Sequence, residues 1–362
     1  MSVADLLHDK EICICAGPGG VGKTTISAAI ALGMAAEGKK AAVLTIDPAK
    51  RLANSLGLAE LGNEETRVEV EASGELWAMM LDAKRTFDDL IERHAPDERT
   101  RDAVLQNRIY QQLSSAVAGS QEYMAMEKLY ELYQEERYDL LVLDTPPTRN
   151  ALDFLDAPER LTRFIDSRSL QFFLKPGRAG LKILGRGTGL LFSTLKRITG
   201  VDLLQDLSDF FQSFGGMAEG FEERARRVNE LLSDRRTAFF IVTSPERDSI
   251  DEAIFFHRRL KEGGLPFGGV IVNRMHEEVD PSVDAADVSG LVGQELGRKV
   301  ARTFDDYRRL AERDRANVAL LERELNGEPM VVVPYLDDDV HDLDGLARVN
   351  ERLFAPGVAS TA

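Results

Sequence analysis

A glycine-rich segment near the N-terminus has the residue types and spacing of a phosphate-binding loop. Residues 17–24 read Gly-Pro-Gly-Gly-Val-Gly-Lys-Thr, which is the Walker A spacing ending in Lys23 and Thr24. Glycines allow successive backbone N–H groups to converge on phosphate oxygens. An apolar run precedes the segment and a helix-forming run follows it, so the positive end of that helix would face the same anion. The spacing therefore predicts binding of ATP through its phosphates.

Side chains of this loop have expected roles in the chemistry of a nucleoside triphosphate. Lys23 would contact the β- and γ-phosphates and act in catalysis, Thr24 would bind Mg2+, and Thr25 would lie near the α-phosphate. The residues predicted to bind ATP in this segment are Gly19, Gly20, Val21, Gly22, Lys23, Thr24 and Thr25.

Two acidic residues follow apolar runs that are predicted to be strands. Asp47 leaves the run 41–46 and precedes Pro48, which stops a strand, so its carboxylate is well placed to orient water toward a γ-phosphate. Asp144 follows the run 138–143 in a Walker B arrangement and would hold Mg2+ directly or through water. Each Asp taken alone also fits an ordinary turn or cap. Together with the loop, they favour one nucleotide site at the ends of successive strands.

Short aliphatic runs alternate with helical stretches along much of the chain. Several runs are apolar at nearly every position, as expected of parallel strands covered on both faces. The predicted fold is therefore an α/β P-loop NTPase with a mostly parallel twisted sheet flanked by helices, plus a helical subdomain. The predicted strands are 11–16, 41–46, 76–81, 138–143, 238–243, 269–272 and 330–333.

Two longer stretches, 86–136 and 155–233, interrupt this alternation and are predicted to form the helical subdomain. The second contains residues 168–201, which carry seven Lys and Arg residues without one acidic residue, among many Phe and Leu residues. This basic amphipathic stretch would bind a hydrophobic client helix or an anionic membrane face, or would form the core of the insert itself. The ATPase domain is assigned to residues 1–85, 137–154 and 234–362.

Composition places the 362-residue chain among ordinary globular proteins, with 43% hydrophobic and 29% charged residues. Its net charge of -16 argues against nucleic acid as a partner. The two cysteines, Cys13 and Cys15, lie in one predicted strand, where they suit neither a disulfide nor a zinc site. The sequence shows neither a signal peptide nor a membrane span. The expected location is the cytoplasm, either free or peripheral at a membrane.

Several motifs carry a resemblance to a known family, namely the phosphate loop and residues 47–49, 144–148, 243–246, 270–274 and 333–337. The chain resembles the ArsA-type ATPases, which include the arsenite-pump ATPase and the eukaryotic ATPase that targets tail-anchored membrane proteins. The resemblance implies that Asp47 orients the attacking water, that Asn273 recognises adenine and that the loop after Pro334 packs on the base. It also implies a dimer.

The chain departs from the family pattern at positions that bear on partners. Pro18 stands where family members usually have a Lys that reaches the partner's phosphates, and proline carries neither a charge nor an N–H. A paralogue bearing that Lys would complete a heterodimer, or Lys50 or Arg51 substitutes in a homodimer, or hydrolysis is slow. Arg149-Asn150 replaces the usual Gly-His, which points to a bacterial branch.

Three functions remain open at this point. The first is an ATP-driven dimeric switch that handles a hydrophobic protein client or a membrane partner. The second is the catalytic ATPase subunit of an anion export system, although buried Cys13 and Cys15 would not provide the thiolates that arsenite requires. The third is a positioning ATPase that assembles on a membrane or nucleoid.

Overall fold

The computed structural model describes residues 2–47, 49–108, 110–111, 120–145, 218–278 and 292–355. The basic stretch 168–201, Pro48 and Arg149-Asn150 lie outside the described residues. The chain divides into two compact units. The first consists of Met1–Met80, Glu135–Leu152 and Ser233–Ala362, and the second consists of Leu81–Gln134 and Asp153–Leu232.

The first unit is built on a sheet that has eight strands within the described residues, in the order β3-β4-β2-β5-β1-β6-β7-β8. All pairs are parallel except β3 with β4. The seven predicted runs all contain strands, and the predicted α/β fold is confirmed. The strands are β1 (Ile12–Ala16), β2 (Lys40–Thr45), β3 (Thr66–Val68), β4 (Glu75–Met80), β5 (Leu140–Asp144), β6 (Thr237–Thr243), β7 (Phe267–Met275) and β8 (Met330–Pro334).

The antiparallel edge strand β3 is not among the predicted strands. It has three residues, and only Val68 is buried, so it lacks the apolar run that marks the other strands. Its backbone pairs with β4, where Arg67 lies opposite Trp77.

The central strands explain how the nucleotide motifs come together. β1, β5 and β6 are buried at every position, because helices cover both faces of the sheet. In the parallel register, Asp144 pairs with Cys15 on one side and with Thr45 on the other. The carboxyl ends of β1, β2 and β5 therefore meet at one edge of the sheet, directly where the glycine-rich loop leaves β1.

Helices in the first unit include α2, which starts at Lys23 immediately after the loop. Its N-cap, Gly22, has a φ of 91°, a left-handed conformation that suits glycine. Cys13 and Cys15 are free and fully buried in β1. Described helices of this unit are α1 (Val3–Leu7), α2 (Lys23–Ala36), α3 (Arg51–Ser55), α8 (Arg247–Glu262), α9 (Gln294–Leu325) and α10 (Leu343–Phe354).

The second unit is helical in its described part, with α4 (Ala83–His94), α5 (Glu98–Leu105), α6 (Ser120–Gln134) and α7 (Ala218–Ser233). Glu127 on α6 is buried and accepts hydrogen bonds from the Arg224 guanidinium of α7 and from the Tyr123 hydroxyl. This ion pair ties α7 to α6. None of the helices in the described ranges is long and apolar enough to cross a bilayer.

Candidate functional site

The loop between β1 and α2 is folded around the side chain of Lys23. Lys23 is 6% exposed, and its ammonium group donates hydrogen bonds to the carbonyl oxygens of Gly17 and Pro18, at 3.0 and 2.9 Å. Burial lowers the pKa of Lys23, against the opposing effect of the Asp144 and Asp47 carboxylates. The loop's own carbonyls therefore serve as the acceptors of this cation.

Gly17 is held where no other residue fits. Its φ is 151°, and a Cβ on it would overlap the carbonyl oxygen of Val242 on β6. The first glycine of the motif therefore allows β1 to turn into the loop against the end of β6.

Asp144 ends β5 and lies beneath the loop. Its Oδ2 accepts hydrogen bonds from the Thr24 and Thr45 hydroxyls, at 2.7 and 2.8 Å. Its Oδ1 is buried and has no hydrogen-bond partner within the described part of the chain. Burial raises the pKa of Asp144 to about 6, although the two hydroxyls and the charge of Lys23 lower it. Burying a carboxylate oxygen without a hydrogen-bond partner costs free energy unless a cation or a proton binds to it.

Asp47 is joined to this group through Thr45. The Thr45 hydroxyl, which donates to Asp144, also accepts the Asp47 N–H at 3.2 Å. Asp47 Oδ1 accepts the Ala49 N–H at 2.9 Å, and Arg51 Nη1 lies 3.8 Å from Asp47 Oδ2. The Asp144 carboxylate and the backbone of Asp47 thus belong to one hydrogen-bonded network that starts at Thr24.

The end of β7 holds the opposite side of the loop. Asn273 Nδ2 donates to the Val21 carbonyl at 2.9 Å, and Arg274 Nη1 donates to the Gly20 carbonyl at 3.1 Å. A Cβ at Gly22 would overlap the Asn273 amide, so this glycine also permits the close approach.

Asn273, Thr25 and Pro334, all predicted to contact the nucleotide, line one cavity of about 530 Å³ together with Gly22. Tyr335 also lines it. The volume lies in the range of small-ligand pockets, and the cavity opens beside the loop where α2 begins.

The donor set fits Mg2+ bound with a polyphosphate. No group of three or more His, Cys, Asp or Glu side chains that would cage a metal occurs in the part of the chain that the structure describes. Mg2+ keeps water and phosphate ligands and needs only one or two protein carboxylates. Asp144, with its free Oδ1, and Thr24 beside it provide such a half-site, and the glycine loop provides the room for phosphates.

The structure brings together every predicted site residue, and their roles remain predictions. Two residues were missed. Thr45 links the Asp144 carboxylate to the backbone N–H of Asp47, and its position opposite Asp144 follows from pairing the two strands in parallel. Arg274 contacts Gly20 across a separation of 254 residues. Only its place beside Asn273 in the sequence hinted at it.

Comparison with known proteins agrees with the fold. The family model described as Anion-transporting ATPase matches residues 10–331. The chain is 26% identical to "ATPase GET3" of Malassezia globosa over 277 residues, which cover 76% of each chain. It is 23% identical to "Putative arsenical pump-driving ATPase 2" of Aquifex aeolicus, over 82% of this chain and 90% of the relative. It is also 23% identical to "ATPase ASNA1 homolog 1" of Paramecium tetraurelia, over 94% and 91% of the two chains.

The match covers the phosphate loop, Asp47, Asp144 and Asn273 in one stretch. Together with a parallel sheet whose strand ends carry these residues, it identifies the chain as a member of the anion-transporting ATPase (ArsA) family and as an ATPase.

Proposed function

We propose that the chain hydrolyses Mg-ATP at this site to drive a dimeric conformational switch, and that the switch handles a hydrophobic protein client or a membrane partner. The proposal is carried by the network from Thr24 through Asp144 and Thr45 to Asp47, which joins the phosphate loop to an unpartnered carboxylate oxygen. It places the chain in the cytoplasm, free or peripheral at a membrane.

The residues of the loop and of the neighbouring strand ends have different roles at the phosphates. Lys23 exchanges the Gly17 and Pro18 carbonyls for phosphate oxygens, where its charge offsets the charge that develops during transfer. Thr24 and Asp144 hold Mg2+, which supplies electrostatic stabilisation of the phosphates when bound. Asp47 orients the attacking water from the neighbouring strand end.

Asn273 reads the base from the 530 Å³ cavity. One N–H of its amide is used on Val21, and its Oδ1 accepts the Arg274 N–H at 3.0 Å. The amide keeps one N–H and one lone pair, which is the set that a purine edge requires. Pro334 and Tyr335 provide apolar and aromatic surface for packing on the base.

Activity measurements test the site. Lys23→Met and Asp47→Asn should each lower kcat by about 100-fold or more, because each removes a positioned group. Asp47→Asn should still bind ATP. Asp251→Asn, which breaks an exposed ion pair with Arg247, should leave turnover unchanged. Normal hydrolysis by both site variants would refute the assignment.

Pro18 affects which subunits can form the active dimer. Because the loop lacks a cation at this position, the active assembly is a heterodimer with a paralogue that carries the missing Lys, or a homodimer in which another basic residue replaces it. Light scattering of the Asp47→Asn protein with ATP and with ADP should show a dimer that depends on ATP. A monomer in every nucleotide state would contradict a dimeric switch, and a homodimer with full ATPase activity would exclude the heterodimer.

The client is addressed by affinity isolation of the Asp47→Asn protein with ATP. The resemblance to the ATPase that targets tail-anchored membrane proteins supports such a client, and we expect enrichment of proteins with an exposed apolar helix over a Lys23→Met control. Equal recovery with both variants would count against client handling.

The arsenical-pump relative supports a second candidate, the catalytic ATPase subunit of an anion export system. It predicts an integral membrane partner and hydrolysis stimulated by an anion. Arsenite itself is disfavoured, because both cysteines are buried in β1.

A further inference from the structure

Two consecutive residues of β7 bind the carbonyl oxygens of two consecutive residues of the phosphate loop. Arg274 holds the Gly20 carbonyl and Asn273 holds the Val21 carbonyl. No peptide bond in the described chain is cis. In a trans peptide the C=O and the N–H point in opposite directions. Holding the Gly20 oxygen therefore turns the Val21 N–H away from β7, and holding the Val21 oxygen does the same for the Gly22 N–H.

Arg274 adopts a backbone conformation that is costly for a residue with a side chain. Its φ is 63°, in the left-handed region, and its N–H is held by the Asn273 side chain. Strain of this kind persists where the surroundings impose it, and it is concentrated at functional sites. Here the left-handed residue carries the guanidinium that reaches the loop.

The charge of Arg274 is also available to the site. No salt bridge of this residue is found among the described residues, and its side chain lines both the 530 Å³ cavity and a second one of about 300 Å³ beside Gly19 and Gly20. Pro18, by contrast, contributes neither a charge nor an N–H to the loop.

We propose that Arg274 is a positioning residue for phosphate binding, which orients the Val21 N–H toward the phosphates by holding the Gly20 carbonyl. This rests on the proposed function, because it requires that the loop bind nucleotide phosphates. It predicts that Arg274 matters for ligands with phosphates and not for the nucleoside.

Calorimetric titration of Mg-ADP and of adenosine tests this inference with matched variants. Arg274→Met keeps the reach and the Cβ but has no donor, and it should weaken ADP binding by about tenfold. Arg274→Lys keeps a charged donor and should recover most of the affinity. Arg313 lines the same 300 Å³ cavity, but it bonds the buried carboxylate of Asp314 and not the loop. Arg313→Met therefore removes one charge without releasing the loop, and ADP binding should change less than twofold.

Arg274→Gly separates positioning from stability. Glycine relieves the left-handed backbone, so this variant should melt at a temperature equal to or above that of the wild type and still lose the same affinity for ADP. Wild-type ADP affinity in the Met and Gly variants would overturn the inference. An equal loss in Arg313→Met, or an equal loss of adenosine binding, would also overturn it. Lys23→Met distinguishes this from failure of the proposed function, because ADP binding that survives without Lys23 would contradict the site itself.

Discussion

Asp144 is a buried carboxyl group, and its raised pKa makes the stability of the nucleotide-free protein depend on pH. Its pKa is about 6 in the folded chain, against the ordinary Asp value of 3.8 that represents the unfolded chain. Between these values the folded state binds more protons, so the free energy of unfolding falls as pH rises through the window and is flat above it. The full loss is about 3 kcal/mol, of which about 1.3 kcal/mol falls between pH 5 and pH 7.

Urea unfolding at intervals from pH 5 to pH 7, with EDTA and without nucleotide, measures this contribution. The other carboxylates also titrate, so the comparison is with Asp144→Asn, which keeps an acceptor for Thr24 and Thr45 but has no proton to bind. The free energy of unfolding of the variant, relative to that of the wild type, should rise by about 1.3 kcal/mol from pH 5 to pH 7. The slope of the unfolding free energy against urea concentration should not change. Parallel pH profiles for the two proteins would refute the raised pKa. Mg2+ that binds Asp144 Oδ1 should abolish the difference between the pH profiles of the two proteins, because the metal competes with the proton.

Two further predictions concern stability. Gly17→Ala should destabilise the protein by several kcal/mol more than Gly20→Ala in urea unfolding, because both glycines have positive φ but only the Cβ at position 17 overlaps a backbone carbonyl; equal losses would contradict the clash. Glu127→Ala should cost about 3 kcal/mol, the low end for a buried ion pair because Arg224 is partly exposed, and Glu127→Gln should cost less. If thermal unfolding shows no difference between these two variants, the pairing of α6 with α7 contributes little.

The sequence is most informative where burial and spacing act together. Runs that are apolar at nearly every position locate seven of the eight described strands, and Gly17 to Thr24 locates the loop, because neither signal depends on distant contacts. β7 begins at Phe267, earlier than its predicted start at 269, because two glycines at its beginning weaken the strand pattern. Gly268 packs closely against Phe240, which replaces the missing side-chain contacts.

What the sequence does not reveal are contacts between side chains and remote backbone carbonyls. Thr45 is an unremarkable polar residue at a strand end until β2 is paired with β5. Arg274 resembles any exposed basic residue, and its bond to Gly20 depends on the left-handed turn after Asn273. Such interactions are set by the tertiary arrangement of strand ends, to which local propensity contributes nothing.

The hydroxyl of Thr45 limits what evolution or design can place at this position. It has a single proton, which goes to Asp144, while a lone pair receives the Asp47 N–H. Valine would keep the shape and cut both links at once, and asparagine would not fit a strand position that is 1% exposed. Serine alone among the other residues offers the same one-donor, two-acceptor group at the same reach. Only threonine and serine therefore suit position 45, although its side chain contacts neither phosphate nor water in the proposed reaction.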